Sequence, residues 1–304
     1  MTSLRGLGLL AAAFLVAFVV VGPAAKADGA LGFKACEKCH EAEVNVWKKT
    51  KHFTSYKKVH KAKAAKKILK AVGEKRMKKT ALCANCHYTI GGKKNKAMAG
   101  PGCESCHGNA SGWVEVHNNY GPDTKREAET DAHRQERYAK STAAGMIWPR
   151  EIYDVASNCM SCHGLANENL PGDKAATMLE NGHPLNPDFE LVAYSQGTVR
   201  HRFYPPSIKE NKEMSKAEMS VLYVVGQAAA LVSATEALGK TDNAKYKAAQ
   251  EKRIATAKSA LAAVPEAAAL VASPSHEAGR AFAAAVRGKD LTGAVGGNLP
   301  SQFK

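Results

Sequence analysis

The chain has 304 residues, and its formal net charge is +15 because 43 lysines and arginines outnumber 28 aspartates and glutamates. A strongly basic chain can bind nucleic acid or an acidic protein. The N-terminus excludes nucleic acid here, since it has the features of an export signal. The sequence also contains no phosphate-binding loop, no dinucleotide fingerprint and no nucleophile elbow.

Residues 1–27 have the three parts of a secretory signal peptide. Arg5 supplies the positive charge, residues 6–21 form the apolar segment, and Ala25-Lys26-Ala27 is a small-x-small cleavage site. An uncleaved membrane anchor is the alternative, but an apolar run of about 16 residues is shorter than the roughly 20 that span a bilayer. We therefore expect cleavage, a mature chain that begins at Asp28, and localisation in the periplasm.

A five-residue pattern, Cys-x-x-Cys-His, occurs four times and uses all eight cysteines of the chain. This is the attachment motif of c-type haem: two thiols bind the porphyrin vinyl groups, and the adjacent imidazole binds the iron. The sequence therefore predicts four covalently attached haems c. The predicted thioether residues are Cys36, Cys39, Cys83, Cys86, Cys103, Cys106, Cys159 and Cys162, and the predicted proximal iron ligands are His40, His87, His107 and His163.

Two other uses of the cysteines explain the pattern less well. Zinc sites combine cysteine pairs into sets of four ligands, and a histidine directly after each second cysteine is not their usual spacing. A disulfide framework accommodates eight cysteines but gives no reason for the histidine that follows each pair.

Positive charge is concentrated between Trp47 and Thr80, where fourteen lysines and arginines accompany one acid, Glu74. Signal cleavage lowers the charge of the mature chain to about +13, and four ferric haems lower it further to about +9. One interpretation is a docking surface for an acidic redox protein, because opposite charges accelerate encounter. The other is a solvated helical face whose lysines offset the haem propionates.

Residues 28–210 contain every haem motif and form the predicted tetrahaem domain. Four porphyrins replace much of the apolar surface that side chains would otherwise supply, so regular structure can be sparse. The predicted fold is mainly α, a multihaem cytochrome c fold without a convincing series of strands. The predicted helices of this domain are 41–50, 56–72, 125–144 and 174–181.

Residues 211–304 are rich in alanine and lysine and form a predicted C-terminal helical region. Apolar residues recur at helical spacing, and Ser215 with Glu218 matches a capping box. Three helices are predicted at about 215–238, 242–263 and 275–287. They could pack against each other, against the haem domain or, in an oligomer, against a partner chain.

Seven histidines lie outside the motifs, and four haems have up to four distal positions to fill. A single histidine is more often a surface residue than a ligand, but several haems in one chain make ligation more frequent. The candidates are His52, His60, His117, His133, His183, His201 and His276.

Two runs resemble the tetrahaem cytochrome c-554 family of ammonia-oxidising bacteria. One joins Phe33, the first motif, Trp47 and His52, and the other extends from Gly100 through the third motif to Gly108. The similarity covers residues 33 to about 204, and the C-terminal helices have no counterpart in the family pattern. The resemblance implies that His52 lies opposite His107 and that His117 lies opposite His40.

The resemblance does not fix the distal ligands of the other two haems. His183, in a Gly-His-Pro step, is favoured as the ligand of the fourth haem, although the family's longer spacing points to His201. The second haem of the family lacks a strong sixth ligand and is five-coordinate. Here His201 could be the sixth ligand of the haem bound by His87 if it does not bind the fourth haem. Met98 is a less favoured candidate for the same position.

The function predicted from these features is electron transfer in the periplasm. The protein would carry electrons from a redox enzyme, which the resemblance identifies as hydroxylamine oxidoreductase, to a downstream carrier or quinone system. A first alternative is an enzyme that converts a small nitrogen oxide or peroxide at one open haem, with Tyr88, Asn85 or His133 as the acid-base group. A second alternative is a subunit of a multi-protein electron conduit that assembles through its alanine-rich helices.

Overall fold

A computed structural model of the chain describes residues 29–92, 94–204 and 208–304. The predicted signal peptide and the predicted first mature residue, Asp28, lie outside these ranges. The division into domains at residue 210 stays a prediction.

The mainly α fold class is confirmed. The described residues from 29 to 204 contain eleven α-helices, most of them short, and 3-10 turns at Val59–Lys61, Ala110–Gly112 and Arg126–Ala128. The helices are α1 (Phe33–Glu37), α2 (Glu41–Trp47), α3 (Lys51–Lys58), α4 (Lys63–Ala71), α5 (Ala81–His87), α6 (Cys103–His107), α7 (Val114–His117), α8 (Asp131–Ala143), α9 (Ile152–Cys162), α10 (Gly172–Glu180) and α11 (Leu191–Ser195).

Each Cys-x-x-Cys-His motif lies on or at the end of one of these helices: α1, α5, α6 and α9. In the first and fourth motifs, the backbone N–H of the histidine donates to the carbonyl of the first cysteine, His40 to Cys36 and His163 to Cys159, at 2.9 Å in both. This helical turn holds the two thiols and the imidazole of one motif close together.

Two helices of the structure differ from their predicted bounds. The predicted helix 56–72 is divided into α3 and α4, because Ala62 is extended (φ −62°, ψ 141°) after the 3-10 turn. The predicted helix 125–144 begins only with α8, where the Thr130 side chain accepts a hydrogen bond from the backbone N–H of His133 at 3.3 Å. Threonine at this position caps the helix, so the chain before it is free to turn.

A short antiparallel hairpin was not predicted. Strand β1 (Thr89–Gly91) pairs with β2 (Lys96–Ala99), and the hairpin connects the second motif to the third. Gly91 is required here, because a Cβ atom on it would stand 1.8 Å from the carbonyl oxygen of Ala30. Strands this short leave little alternation in the sequence, which is why the pattern missed them.

The C-terminal region forms a helical bundle whose three longest helices lie where the sequence predicted them. The capping box is present as well, with Ser215 and Glu218 exchanging backbone-to-side-chain hydrogen bonds of 2.8 and 3.2 Å. The helices are α12 (Lys216–Leu238), α13 (Ala244–Leu261), α14 (Ala268–Ala272), α15 (His276–Val286) and α16 (Thr292–Val295), with 3-10 turns at Pro265–Ala267 and Gly296–Asn298.

Helix α12 is the centre of the bundle and packs against α13, α15 and α9. It is the one described helix long and apolar enough to cross a membrane, but 83% of that stretch is buried inside the protein, as in the core helix of a soluble protein. Tyr153, Ala156 and Met160 of α9 belong to the same apolar cluster. The bundle therefore packs directly on the helix that carries the fourth motif.

Candidate metal centres formed by paired histidines

Each motif histidine faces one histidine from elsewhere in the chain. These four pairs account for every motif histidine and for four of the seven others. The ring centres are 6.4 Å apart for His40 and His117, 6.0 Å for His87 and His183, 6.3 Å for His107 and His201, and 6.3 Å for His163 and His52.

These separations fit a haem iron between two axial imidazoles. With iron–nitrogen bonds of about 2 Å, and about 1 Å from each nitrogen to its ring centre, the ring centres of two axial ligands stand about 6 Å apart. Imidazoles in direct stacking contact would be closer: the rings of His163 and Phe189 have centres 4.0 Å apart. The four histidine pairs therefore have the spacing that an iron would occupy.

The orientation of several imidazoles is set by the backbone. A carbonyl oxygen lies within hydrogen-bonding distance of Nδ1 in His107 (Ile147, 3.0 Å), His117 (Val114, 2.6 Å), His183 (Pro184, 2.8 Å) and His201 (Val199, 2.6 Å). A carbonyl can only accept, so Nδ1 carries the proton and the lone pair is on Nε2. This is the arrangement in which a histidine binds a metal through Nε2.

Burial keeps most of these imidazoles neutral, which is their metal-binding form. It lowers the pKa of His87 and of His163 to about 4. Burial also lowers the pKa values of His52, His107, His117 and His183. His40 differs, because its contact with the Glu43 carboxylate, 3.5 Å from Nδ1, raises its pKa.

The structure changes the expected partner of His52. It brings His117 to His40, as the resemblance implied, but places His52 opposite His163 instead of His107. The reason is that the third and fourth motifs are neighbours: the Asn158 side-chain amide donates to the carbonyl of Cys106 at 3.1 Å. A loop that reaches one of these motifs passes close to the other, and sequence spacing does not distinguish them.

The expected partners of the fourth motif are corrected as well. Neither His183 nor His201 faces His163; His183 faces His87 and His201 faces His107. A second imidazole therefore faces the second motif, where the resemblance implied none. Met98 does not take this place, since its thioether packs beside Gly32 and Gly92.

The thiols show which motifs are adjacent. All eight cysteines are free of disulfides. The thiol of Cys36 lies near that of Cys103, Cys106 near Cys159, and Cys86 near Cys162, and this proximity is the largest cause of the raised pKa of Cys36, Cys86 and Cys159. The first motif thus adjoins the third, the third adjoins the fourth, and the fourth adjoins the second.

Glu104 has a role that the sequence did not reveal. This carboxylate, inside the third motif, is 9% exposed and accepts hydrogen bonds from the backbone N–H groups of Leu31 (3.0 Å), Gly32 (2.8 Å) and Ala110 (2.8 Å). It therefore fastens the segment before the first motif to the third. The sequence signal was present as an acid between the two cysteines, but such an acid usually faces water.

The proposed acid-base groups are not placed together at an open site. Tyr88 is buried, its hydroxyl has no hydrogen-bond partner, and burial raises its pKa to about 12. His133 is bound through Nδ1 to the Glu129 carboxylate at 2.7 Å and faces no motif histidine. Asn85 lies on α5 within the second motif.

Comparison with known proteins agrees with the motifs. Residues 35–108 match the family described as "Cytochrome c554 and c-prime". The cytochrome c-554 of Nitrosomonas europaea is 34% identical over 113 residues, a match that covers 33% of this chain and 47% of that protein. The chain thus spans about half the length of this curated relative, and no solved structure matches.

The matched segment contains the first three motifs, and each of the four imidazole pairs includes a histidine from it. The Cys-x-x-Cys-His pattern, the paired imidazoles and the family match all indicate the same cofactor. Through residues 35–108 the chain is similar to the cytochrome c-554 family, and this similarity implies covalently bound haem c as its cofactor.

Proposed function

We propose that the protein is a periplasmic electron carrier with four haems c, each bound by two histidines. The observation that carries this proposal is the set of four imidazole pairs at 6.0 to 6.4 Å. His117 would complete the first haem, His183 the second, His201 the third and His52 the fourth. With both axial positions of every iron filled, the haems exchange electrons and bind no substrate.

The contacts between motifs support a linear path. Thiols of successive motifs lie near each other in the order first, third, fourth and second, so the porphyrins attached to them would follow one another in that order. Haem chemistry supplies the one-electron steps, while the chain sets ligands, spacing and burial. Histidine at all eight positions, without methionine, favours low to moderate potentials.

The second motif would be one end of the path, and it lies beneath a basic surface. We define the lysine surface as the exposed cations between residues 49 and 79, none of which pairs with a described carboxylate. On the inner side of the same segment, Leu69 and Met77 pack against Cys83 and Ala84 of the second motif. The members of the lysine surface are Lys49, Lys51, Lys57, Lys58, Lys61, Lys63, Lys66, Lys67, Lys70, Lys75, Arg76 and Lys79.

This placement favours a docking surface over a merely solvated face. An acidic redox protein that binds there would stand close to the second haem, and unpaired surface lysines attract it over a long range without holding it tightly. The first motif, at the opposite end of the path, has an exposed Cys39 and offers a second point of exchange. By the family resemblance, the donor would be hydroxylamine oxidoreductase, and the acceptor a downstream carrier or quinone system.

Electron paramagnetic resonance of the ferric protein, before and after nitric oxide is added, tests the proposal. We expect four haems per chain, all low-spin and unchanged by nitric oxide. One high-spin haem that binds nitric oxide would contradict the all-histidine assignment and favour the enzyme alternative.

The assignment of His183 has its own variant. His183→Ala should convert one haem in four, the one bound by His87, to a high-spin form that binds nitric oxide. His276→Ala is the matched control, because His276 faces Tyr153 instead of a motif histidine, and its spectrum should equal that of the unaltered protein. Four low-spin haems in His183→Ala would reject His183 as a ligand.

A further inference from the structure

Arg253 of the C-terminal bundle is buried behind the fourth motif. It lies on α13 and is 5% exposed. Its Nη2 is 3.5 Å from Sδ of Met160, which lies between the two cysteines of the motif, and 3.3 Å from Oγ of Ser233. A Cβ atom on Gly164, the residue directly after His163, would stand 2.5 Å from Nη1.

The neighbours of Arg253 on α13 hold the same stretch of chain. The Gln250 side-chain amide donates to the carbonyl of Gly164 at 2.9 Å, and the Tyr246 hydroxyl donates to the carbonyl of Leu165 at 2.9 Å. One face of α13 thus fixes the backbone that follows His163, and it holds the guanidinium in place beside the motif.

Arg253 has no acidic partner among the described residues. Its remaining hydrogen bond, from Nη1 to Oε1 of Gln250 at 2.7 Å, is also to a neutral group. Burial lowers its pKa to about 10, so the group is still charged at neutral pH. Arg137, which is 7% exposed, shows the usual arrangement, since it binds the carboxylate of Glu129 at 2.6 Å.

A buried charge without a counter-charge is costly, and proteins normally neutralise it or use it. The group nearest to Arg253 that changes charge in the proposed function is the fourth haem. A haem that accepts one electron passes from ferric to ferrous, and its net charge falls by one. A fixed positive charge close by favours the ferrous state.

We propose that Arg253 acts on the haem bound by Cys159, Cys162 and His163 and raises its reduction potential. This inference rests on the proposed function, because it needs a haem at the fourth motif. It assigns the C-terminal bundle a part in electron transfer: besides covering α9, the bundle supplies a positive charge that makes the fourth haem an easier electron acceptor than its two histidine ligands alone would make it.

The test is a redox titration of the complete protein, with each haem followed by its electron paramagnetic resonance signal. Arg253→Gln removes the charge and keeps a polar side chain. We expect the ferrous-to-ferric ratio of one haem, at a fixed solution potential, to fall at least tenfold, which is a downward shift of about 59 mV. Lys252→Gln is the matched control: it removes one positive charge from the adjacent position of α13, where the side chain is 57% exposed, and should shift no haem comparably.

The haem that shifts is identified with His52→Met. This variant changes the proposed sixth ligand of the fourth haem, so the component whose potential it raises is the fourth haem. Arg253→Gln must move that same component. A shift in another component, or no shift beyond that of Lys252→Gln, would overturn the proposal.

A second variant keeps the test decisive if Arg253→Gln does not fold. Gln250→Glu leaves the arginine in place and puts a carboxylate where Oε1 now accepts its hydrogen bond, so it should lower the same potential by neutralising the charge. Gln250→Leu is its control, because it also removes the hydrogen bond to the carbonyl of Gly164 but adds no negative charge. An unchanged potential in Gln250→Glu would count against the proposal. Haem content shows which of the two proposals has failed. Fewer than four haems per chain would contradict the proposed function, whereas four haems with unchanged potentials would contradict only the role of Arg253.

Discussion

The haem-motif region and the C-terminal bundle are built in different ways. In the bundle, side chains of α12 and of the helices around it form one large apolar cluster, which includes Leu231, Val232 and Leu261. In the haem-motif region, the buried apolar residues form smaller groups, such as Ala110, Trp113 and Met146. The bundle has a core of side chains, whereas the haem-motif region contains four imidazole pairs whose ring centres are 6.0 to 6.4 Å apart, and porphyrins would lie between them.

The two regions meet at α9. This helix carries the fourth motif at its C-terminal end, and its other face contributes Tyr153, Ala156 and Met160 to the core of the bundle. One helix therefore belongs to both kinds of core. The comparison predicts that the bundle depends little on haem and that the haem-motif region depends on it strongly.

The largest expected effect comes from a chain that cannot attach haem. With all eight motif cysteines replaced by alanine, hydrogen exchange should show loss of protection throughout residues 29–143, which precede α9. Helices α12 and α13 should remain protected, because their core consists of side chains. The haem-loaded protein is the reference for hydrogen exchange. Equal loss of protection in both regions, or equal retention, would contradict the expectation that only the haem-motif region depends strongly on haem.

The next effect tests the polar anchors of the haem-motif region. Glu129, whose side chain is 2% exposed, binds Arg137 at 2.6 Å and His133 at 2.7 Å, and these contacts, Arg137 first, lower its pKa to about 2. Glu129→Gln leaves Arg137 without its counter-charge and should lower the free energy of unfolding by up to about 3 kcal/mol at neutral pH.

The pH dependence of this effect has a definite sign. A carboxyl with a lowered pKa stabilises the fold above its unfolded pKa, near 4.5, and loses this contribution as the pH falls through about 2. The difference in stability between the parent protein and Glu129→Gln should therefore narrow between these two values. The exposed Glu127→Gln is the control, and a pH-independent difference would show that the glutamate is not held ionised by its partners.

The smallest effect tests the contact between the regions. A Cβ atom on Gly279 of α15 would stand 2.1 Å from Cε2 of Tyr153, which is 1% exposed and has little room to move. Gly279→Ala should cost about 1–3 kcal/mol of unfolding free energy, measured by thermal or chemical denaturation. Gly293→Ala, where nothing lies within 4 Å of the added atom, should change it by less than about 0.5 kcal/mol. Equal effects would mean that α15 does not pack tightly on α9.

Local features of the structure were predictable from the sequence. The three long helices of the bundle follow from apolar spacing and from a capping box whose two residues are three positions apart. Short elements were harder, because β1 and β2 contain three and four residues and depend on the close approach of Ala30 to Gly91.

The pairing of histidines was less predictable, since it depends on contacts between distant parts of the chain. The histidines themselves could be selected, and all four selected outside the motifs, including His183 and His201, face a motif histidine in the structure. Sequence spacing did not show that His52 faces His163, the histidine of the fourth motif. Arg253 gave no signal either, because an arginine in an alanine-rich and lysine-rich helix looks like a solvated residue until its burial is known.

The four imidazole pairs also bear on how the chain could be assembled. Their first members, His40, His52, His87 and His107, all precede their second members, and the second members follow in the same order. A chain that enters the periplasm N-terminus first would therefore expose three attachment motifs before any pair could close. Haem attachment would begin before any histidine pair had formed. The last iron to gain its second histidine would do so only after His201 had entered the periplasm.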